Sequence, residues 1–344
     1  MSLPKLASIY PWVSPPFIVG APMRVMAGPA LAVAVTRAGG LGFIGPSIKT
    51  KDMVADLEEA TTLVHASPSI PSLPSSSLPV GVSFQLWGDD LQIASAAIKQ
   101  FQPCAAWLFA PRHGQTDIDT WTRRIRDVAP RTQIWVQVGT LLEVQSLTQS
   151  VERPDVIVIQ GSEAGGHGRA TDGMGLMTLL PEVADLVASS GIPLFAAGGI
   201  VDGRGAAAAL CLGAVGVAIG TRFLASMEAR ISAGYQQEVV RANNGAVSTT
   251  RTLLYNHLRG TYGWPEGYSP RTIINRSFEE HQKGRPFEEL KELHDRALQD
   301  GDAGWGPQGR LATYAGAGVG LIHEVQDAAD IVRDIREGVQ RLVR

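Results

Sequence analysis

The sequence predicts an α/β protein, namely a (β/α)8 TIM barrel with an inserted helical lid segment after strand eight. Three observations support this prediction: eight short apolar segments bounded by glycine or proline, helical patterns between them, and a length of 344 residues. A single barrel of about 250 residues, enlarged by an insertion, accounts for such a length. Continuous apolar segments are typical of parallel strands that are buried on both faces.

The eight predicted strands follow one another at regular intervals. They are FIVGAP (17–22), LGFIG (41–45), PVGVSFQ (79–85), AAWLFA (105–110), QIWVQVG (133–139), DVIVIQG (155–161), PLFAAGG (193–199) and GVAIGT (216–221). Helices are predicted between them at 29–38, 50–65, 91–101, 117–129, 141–150, 181–190 and 203–212. Asp117 and Asp202 are start signals for two of these helices. The regular alternation favours a closed barrel over an open sheet.

Three further segments complete the chain. Residues 66–79 are rich in proline and serine and are predicted to form a loop, whereas 323–343 has the apolar spacing of a last barrel helix. The insertion, 226–312, is predicted to contain helices at 228–242 and 277–299. Insertions after a barrel strand emerge at the catalytic mouth, so we expect a lid or pocket wall, the alternative being a packed appendage without substrate contact. Residues 1–225 and 313–344 then form the cofactor-binding barrel.

Composition excludes several classes of protein. The 30 basic and 33 acidic residues give a net charge of −3, so no electrostatic footprint for nucleic acid or anionic membrane is visible. The apolar segments stop short of the roughly 18 residues of a membrane span, and the N-terminus has no apolar signal segment. We therefore expect a soluble cytoplasmic protein. Cys104 and Cys211 lie in apolar stretches and are predicted to be buried, reduced thiols.

Glycine-rich segments follow the seventh and eighth predicted strands. They are AAGGIVDGRG (196–205) and AIGTRF (218–223). Loops at these two positions of a barrel commonly bind phosphate through backbone N–H groups. Gly198, Gly199 and Gly220 allow the backbone to approach a ligand closely, and Thr221 adds a hydroxyl donor. These segments predict a phosphate-bearing ligand.

The segment QGSEAGGHGR (160–169), which leaves strand six, contains the predicted catalytic residue, His167. Imidazole is the side chain best suited to proton transfer near neutral pH. Gly165 and Gly166 allow the backbone to pass a flat ligand closely. The amide of Gln160 both donates and accepts hydrogen bonds, which suits a planar heterocycle.

A third segment, GAPMRVMAG (20–28), follows strand one and places Ala21 and Met23 where an aromatic ring would lie. A metal centre is not expected, because neither HExxH nor a Cys/His cluster is present. A serine hydrolase is not expected either, since no G-x-S-x-G motif occurs. Glu163 is the one carboxylate near His167, and either orients the loop or is solvated.

Together, these segments resemble the nitronate monooxygenase family, formerly called 2-nitropropane dioxygenases. The similarity spans nearly the whole chain and keeps the order of the predicted strands. The matching pieces are APM (21–23), AGGLGFIG (38–45), QGSEAGGHGR (160–169), AAGGIVDGRG (196–205), IGTRF (219–223) and YAGAGVGLI (314–322).

The resemblance implies FMN as the cofactor of this flavoprotein. The family often has asparagine where this chain has Ser83, whose hydroxyl reaches less far, and Gln85 is the alternative polar side chain there. The positions implied to bind FMN are Ala21, Met23, Ser83, Gln160, Gly165, Gly166, Gly198, Gly199, Ala218, Ile219, Gly220 and Thr221.

The resemblance also implies an activity, the oxidation of alkyl nitronates or nitroalkanes by O₂ to carbonyl compounds and nitrite. His167 would then be the catalytic base, or would bind the nitronate anion. Three alternatives stay open: an FMN-dependent NAD(P)H enoyl-thioester reductase, a biosynthetic flavin oxidase acting on a larger natural product, and a flavin-free barrel that isomerises a sugar phosphate. In each case the partner is a small molecule.

Overall fold

The computed structural model describes residues 3–66, 70, 77–306 and 308–343. Eight parallel strands close into a barrel in the order β1-β2-β3-β4-β5-β6-β8-β9, which confirms the predicted (β/α)8 fold. Each of the eight predicted segments overlaps one strand, although β3 and β4 begin one and two residues earlier than predicted. The barrel strands are β1 Phe17–Gly20, β2 Leu41–Ile44, β3 Leu78–Gln85, β4 Pro103–Phe109, β5 Gln133–Val138, β6 Val156–Gln160, β8 Leu194–Ala197 and β9 Gly216–Ile219.

Aromatic side chains fill the interior of the barrel. The Phe43 ring lies 5.1 Å from Trp107 and 5.3 Å from Trp135, and Trp135 lies 4.6 Å from Phe195. Each of these rings is almost fully buried. The buried indole N–H of Trp107 is satisfied, because it donates to Oε1 of Gln137 at 2.9 Å. This packed core confines open space to one end of the barrel.

Helices cover the outside of the barrel. The last of them, α15, buries Ile331, Val332, Ile335 and Val339 at helical spacing, as its sequence predicts. It begins at residue 328, so His323 lies in the preceding turn and not in the helix. The covering helices are α1 Leu3–Ile9, α2 Pro29–Arg37, α3 Met53–His65, α4 Leu91–Phe101, α5 Gln115–Val128, α6 Leu141–Gln149, α7 Leu176–Val187, α8 Gly203–Cys211 and α15 Ala328–Leu342.

Two predicted helix starts have different outcomes. Asp202 caps α8, where its carboxylate accepts from the N–H of Arg204 at 2.8 Å. Asp117 is not a cap, because α5 begins two residues earlier at Gln115. Its carboxylate instead accepts from the backbone N–H of Arg112 at 2.8 Å, and therefore holds the preceding turn.

Three other predictions need correction. Helix α7 begins at Leu176 rather than 181, because its apolar face continues through the internal Pro181. Cys104 is buried as expected, but Cys211 is exposed, since it is the last residue of α8 and lies on its outer face. Most of the predicted loop 66–79 lies outside the described residues, and β3 already begins at Leu78.

The insertion contains more elements than predicted. The predicted helix 228–242 is shorter, and the predicted helix 277–299 is two helices, separated at Gly284, whose φ is +85°, and Pro286. Two short strands add to them. The elements from the end of β9 onward are α9 Thr221–Leu224, α10 Ala233–Arg241, α11 Gly245–Ser248, β10 Thr249–Arg251, α12 Leu254–Leu258, β11 Tyr268–Ile273, α13 Arg276–Gln282 and α14 Phe287–Gln299.

A second, three-stranded antiparallel sheet joins the insertion to the barrel. Its order is β10-β11-β7, where β7 (Gly166–Arg169) is part of the segment that leaves β6. In this sheet Pro270 of β11 lies opposite His167. The insertion therefore fixes the backbone of the predicted catalytic loop. Across the described part of the chain, no helix combines the length and the apolar character needed to cross a membrane.

Candidate active site

A cavity of about 820 Å³ opens where the barrel strands end. This volume lies within the range of about 300–1,000 Å³ found for small-molecule and cofactor sites. Ile219 does not line it, since its side chain is buried and its carbonyl accepts from the N–H of Ala21 at 2.9 Å. The other predicted site residues all line the cavity: Ala21, Met23, Ser83, Gln160, Gly165, Gly166, His167, Gly198, Gly199, Ala218, Gly220 and Thr221.

Glycines after β8 and β9 form one end of the cavity. Gly198 and Gly199 have φ angles of +111° and +71°, a conformation that favours glycine. The hydroxyl oxygen of Thr221 accepts from the N–H of Gly316 at 2.9 Å, so its own proton remains available to a ligand. Backbone without side chains and a hydroxyl donor thus lie together at this end.

The polar side chains expected beside a flat ring already have partners in the protein. Gln160 donates through Nε2 to the carbonyl of His167 at 3.1 Å, which leaves its Oε1 to accept from a ligand. Ser83 is buried and donates to the carbonyl of Ile44 at 3.0 Å. Gln85 lines the cavity at the end of β3, and its side-chain amide makes no such bond to any residue that the structure describes. Of the two residues near strand three, Gln85 is thus better able to reach a ligand.

His167 is half-buried and held on two sides. Its ring stacks on Trp264, with 3.5 Å between ring centroids and an interplanar angle of 4°. Its Nε2 accepts from Nδ2 of Asn256 at 2.9 Å, which assigns the remaining ring proton to Nδ1. The chain of hydrogen bonds continues outward, from Tyr314 to Oδ1 of Asn256 at 3.3 Å and from Arg259 to the Tyr314 hydroxyl at 2.9 Å.

The electrostatic surroundings keep His167 neutral. Burial first, and then the positive charges of Arg24 and Arg251, lower the pKa of His167 to about 3. At neutral pH the ring is therefore uncharged, with the Nε2 lone pair engaged by Asn256 and a hydrogen-bond donor at Nδ1. It carries no positive charge of its own with which to hold an anion.

Two arginines of the insertion hold the loop that carries His167. Arg251 donates to the carbonyls of Ser162 at 3.2 Å, Ala164 at 3.1 Å and Gly166 at 3.2 Å. Arg271 donates to the Ser162 carbonyl as well, at 3.1 Å. These bonds satisfy backbone carbonyls of the glycine-rich segment and fix its path.

Glu163 orients the same loop, the first of the two roles expected for it. Its carboxylate accepts from the N–H of Leu176 at 3.0 Å, at the start of α7. Its carbonyl accepts from the N–H of Ala317 at 2.8 Å. A Cβ built on Gly199 would lie 3.0 Å from the Glu163 Cβ. The glycine-rich loop after β8 and the loop that carries His167 are therefore in direct contact.

Sequence reasoning missed several side chains that share the cavity with His167. Trp264 lies in the insertion that was predicted as a lid or pocket wall, and Tyr314 lies in a segment that supports only the family resemblance. Asn256 lies in helix α12 of the insertion and Arg259 directly after it, and nothing in their local pattern distinguishes them. Arg24 follows Met23 directly and also lines the cavity. Only pairing between distant segments brings these residues together.

A parallel barrel with a ligand-sized cavity at the carboxyl ends of its strands defines a barrel enzyme. The nitronate monooxygenase family model matches residues 126–338. Nitronate monooxygenase npaC of Metarhizium robertsii is 58% identical over 98% of this chain and 95% of its own length. The chain belongs to the nitronate monooxygenase family, as its motifs predicted, and is an oxidoreductase.

Solved structures agree with this fold. A nitroalkane oxidase from Streptomyces ansochromogenes superposes with a TM-score of 0.72 at 25% identity, covering 98% of both chains. FabK from Thermotoga maritima gives a TM-score of 0.73, covering 98% of this chain and 96% of its own. At 23% identity, the second likeness shows the common barrel alone.

Proposed function

We propose that this protein is an FMN-dependent nitronate monooxygenase that uses O₂ to oxidise alkyl nitronates to carbonyl compounds and nitrite. The observation that carries the proposal is one cavity with a glycine-lined end and a neutral His167, in a chain of this family. The reaction balances when two nitronate anions and one O₂ give two carbonyl compounds and two nitrite ions.

The residues of the cavity fit FMN. Gly198, Gly199, Gly220 and Thr221 offer backbone and a hydroxyl to the phosphate, and a Cβ built on Gly166 would meet no atom within 4 Å, so that wall is open to a flat ring. The buried indole nitrogens of two cavity-lining residues, Trp264 and Trp305, have no hydrogen-bond partner within the described ranges. When bound, FMN supplies electron transfer between substrate and O₂.

The flat part of the ligand has its own neighbours. Ala21 and Met23 line one wall, and Gln160 presents its Oε1 as an acceptor. We assign the ring of FMN to this region, where Gly165 and Ala218 would also contact it. Ile219 does not line the cavity and is left out of the proposed FMN site.

His167 is the proposed catalytic residue, as a base or as the group that binds the nitronate. The lone pair of its Nε2 already accepts from Nδ2 of Asn256, and a pKa of about 3 makes the ring a weak base towards a neutral nitroalkane. A nitronate is already deprotonated and needs only to be held. The proton on Nδ1, which has no partner among the described residues, can be donated to a nitronate oxygen. We therefore propose nitronates as the preferred substrates.

The insertion is proposed to form one wall of the substrate pocket. Asn256, Trp264 and His294 come from its separate parts, and all three line the cavity. Gly263 and Gly267, on either side of Trp264, have φ angles of +86° and +88°. This turn shapes the pocket over the ring of His167, and a packed appendage would not reach it.

Anaerobic stopped-flow mixing of the purified protein tests the proposal. Propyl-2-nitronate should bleach the flavin absorbance near about 450 nm, and nitrite should accumulate when air is admitted. NADPH is the matched control. Rapid bleaching by NADPH with no response to nitronate would favour the enoyl-thioester reductase. Failure to bind added FMN would favour the flavin-free isomerase.

A further inference from the structure

We propose that Arg24 and Arg259 form an anion-binding pair in the cavity, which holds the acidic group of an organic anion beside His167. Both residues line the cavity, one following β1 and the other at the end of α12. The inference rests on the proposed function for the identity of the substrate. It adds the two residues that would select that substrate by charge.

Neither guanidinium has a carboxylate partner. No aspartate or glutamate oxygen lies within 4.0 Å of Arg24 or Arg259 among the residues that the structure describes. The other cations lining the cavity are neutralised: Arg230 pairs with Asp56 at 2.8 Å, and Lys291 pairs with Asp295. The cavity therefore presents two unneutralised positive charges.

After their hydrogen bonds to the protein, both guanidinium groups keep N–H donors that are free to bind a ligand. Within the described ranges, Arg24 makes two long bonds, to the carbonyls of Ser47 at 3.4 Å and Ile48 at 3.3 Å. Arg259 donates through Nη1 to the Tyr314 hydroxyl at 2.9 Å. A guanidinium has five N–H donors, so each side chain keeps several for a ligand.

The surroundings disfavour the charge of Arg24 unless an anion is present. Burial lowers the pKa of Arg24, the carboxylate of Asp89 raises it in part, and the charge of Arg259 lowers it. Asp89 is not an ion-pair partner of Arg24, because its carboxylate accepts from the Thr50 hydroxyl at 2.7 Å and the N–H of Gln85 at 2.7 Å. Two cations that repel each other in a cavity indicate that the natural occupant is negative.

The pair supplies what His167 lacks. The charges of Arg24 and Arg259 both lower the pKa of His167 and keep it neutral, so the ring does not attract an anion as imidazolium would. A nitronate and a carboxylate each present two oxygens in one plane, which matches the planar guanidinium fork. The bound group is thus an oxyanion, either the nitronate itself or a carboxylate elsewhere on the same substrate.

Binding of propionate, an anion that cannot react, tests the pair without turnover. Titration calorimetry on the FMN-loaded protein should give an affinity that falls about tenfold or more in Arg24→Met and in Arg259→Met. Arg24→Lys and Arg259→Lys, which keep the charge, should lose less. Arg131→Met is the matched control, because it removes a surface charge on the loop before β5, outside the cavity, and should bind propionate as the wild type does.

Kinetics then separate the two sources of the oxyanion. If the pair holds the nitronate group, both methionine variants should raise the KM of a simple alkyl nitronate and of a carboxyalkyl nitronate alike. If it holds a separate carboxylate, only the second KM should rise. Either pattern supports the pair, and unchanged KM values for both substrates would contradict it.

Two further outcomes would overturn the inference: propionate binding that is the same in wild type and both methionine variants, or an equal loss in Arg131→Met. Arg259 is exposed, so its substitution leaves the folded chain intact should the Arg24 variant not fold. A wild type that binds propionate but does not respond to nitronate would refute the proposed function and leave the anion pair standing.

Discussion

The orientation and the protonation of the His167 imidazole are set by its neighbours. Trp264 covers the face of His167, Asn256 donates to its Nε2, and nearby arginines disfavour its protonation. A histidine in a glycine-rich loop was predictable as a catalytic candidate from the sequence. Its low pKa was not, since the groups responsible lie far away along the chain and are brought close only by the fold.

Replacing His167 by asparagine should affect the two substrate types differently. His167→Asn keeps a hydrogen-bonding side chain but removes the imidazole, so the role of base predicts a fall of about 10²–10⁴ in kcat/KM for a neutral nitroalkane. Oxidation of the pre-formed nitronate should fall less, because no proton is abstracted. Steady-state assays with both substrates measure this, with the FMN content as control. Full nitroalkane activity in the variant would remove His167 from the role of base.

The same ring should make the folded protein less stable in acid. Its pKa is lowered from 6.5 to about 3, so between these values the unfolded chain binds a proton that the folded chain does not. The stabilisation is complete above pH 6.5 and is lost as the pH falls towards 3. Between pH 7 and pH 5 the free energy of unfolding of the wild type should drop by about 2 kcal/mol more than that of His167→Asn, measured by urea unfolding. Equal drops would show that the ring titrates normally.

The barrel strands and the insertion strands differ in how well they can be predicted. The eight barrel strands are continuous apolar segments, and each was predicted. The small sheet was not, because GHGR in β7 and TTR in β10 are polar and have no periodic pattern. Their order is fixed by pairing of β7 with β11, which lies about a hundred residues later. Such non-local pairing leaves no trace in a local sequence window.

Arg251 links the small sheet to the histidine loop, and its removal should be costly. Arg251→Met would leave carbonyls of Ser162, Ala164 and Gly166 without this donor, so the free energy of unfolding should fall by about 2–4 kcal/mol. Urea denaturation measures the effect. The matched control is Arg333→Met on the outer face of α15, where an exposed ion pair with Asp330 is worth less than about 1 kcal/mol. Similar losses in both variants would mean that Arg251 does not anchor the loop.

The last helix, α15, completes the outer layer of the barrel. α15 packs on α8 and α2, and Arg336 donates to the carbonyls of Ala38 at 3.2 Å and Gly39 at 3.0 Å, at the end of α2. These hydrogen bonds join α15 to the end of α2, almost three hundred residues earlier in the chain. The apolar spacing of α15 predicted that it covers the barrel, whereas the glycine contact that sets its distance from α8 was visible only in the structure.

The contact between Gly203 of α8 and Gly338 of α15 can be tested by substitution. A Cβ on Gly203 would lie 2.5 Å from the backbone of Gly338. The clash is with main-chain atoms, so no flexible side chain can move to relieve it. Gly203→Ala should therefore force α15 away from α8 and lower the free energy of unfolding by about 1–3 kcal/mol. Gly205→Ala, in the same helix, meets no atom closer than 3.5 Å and should be neutral or stabilising by up to about 1 kcal/mol. Thermal and urea unfolding of the two variants decide the matter: if both alanines behave alike, the spacing of α15 from the barrel does not depend on the Gly203–Gly338 contact.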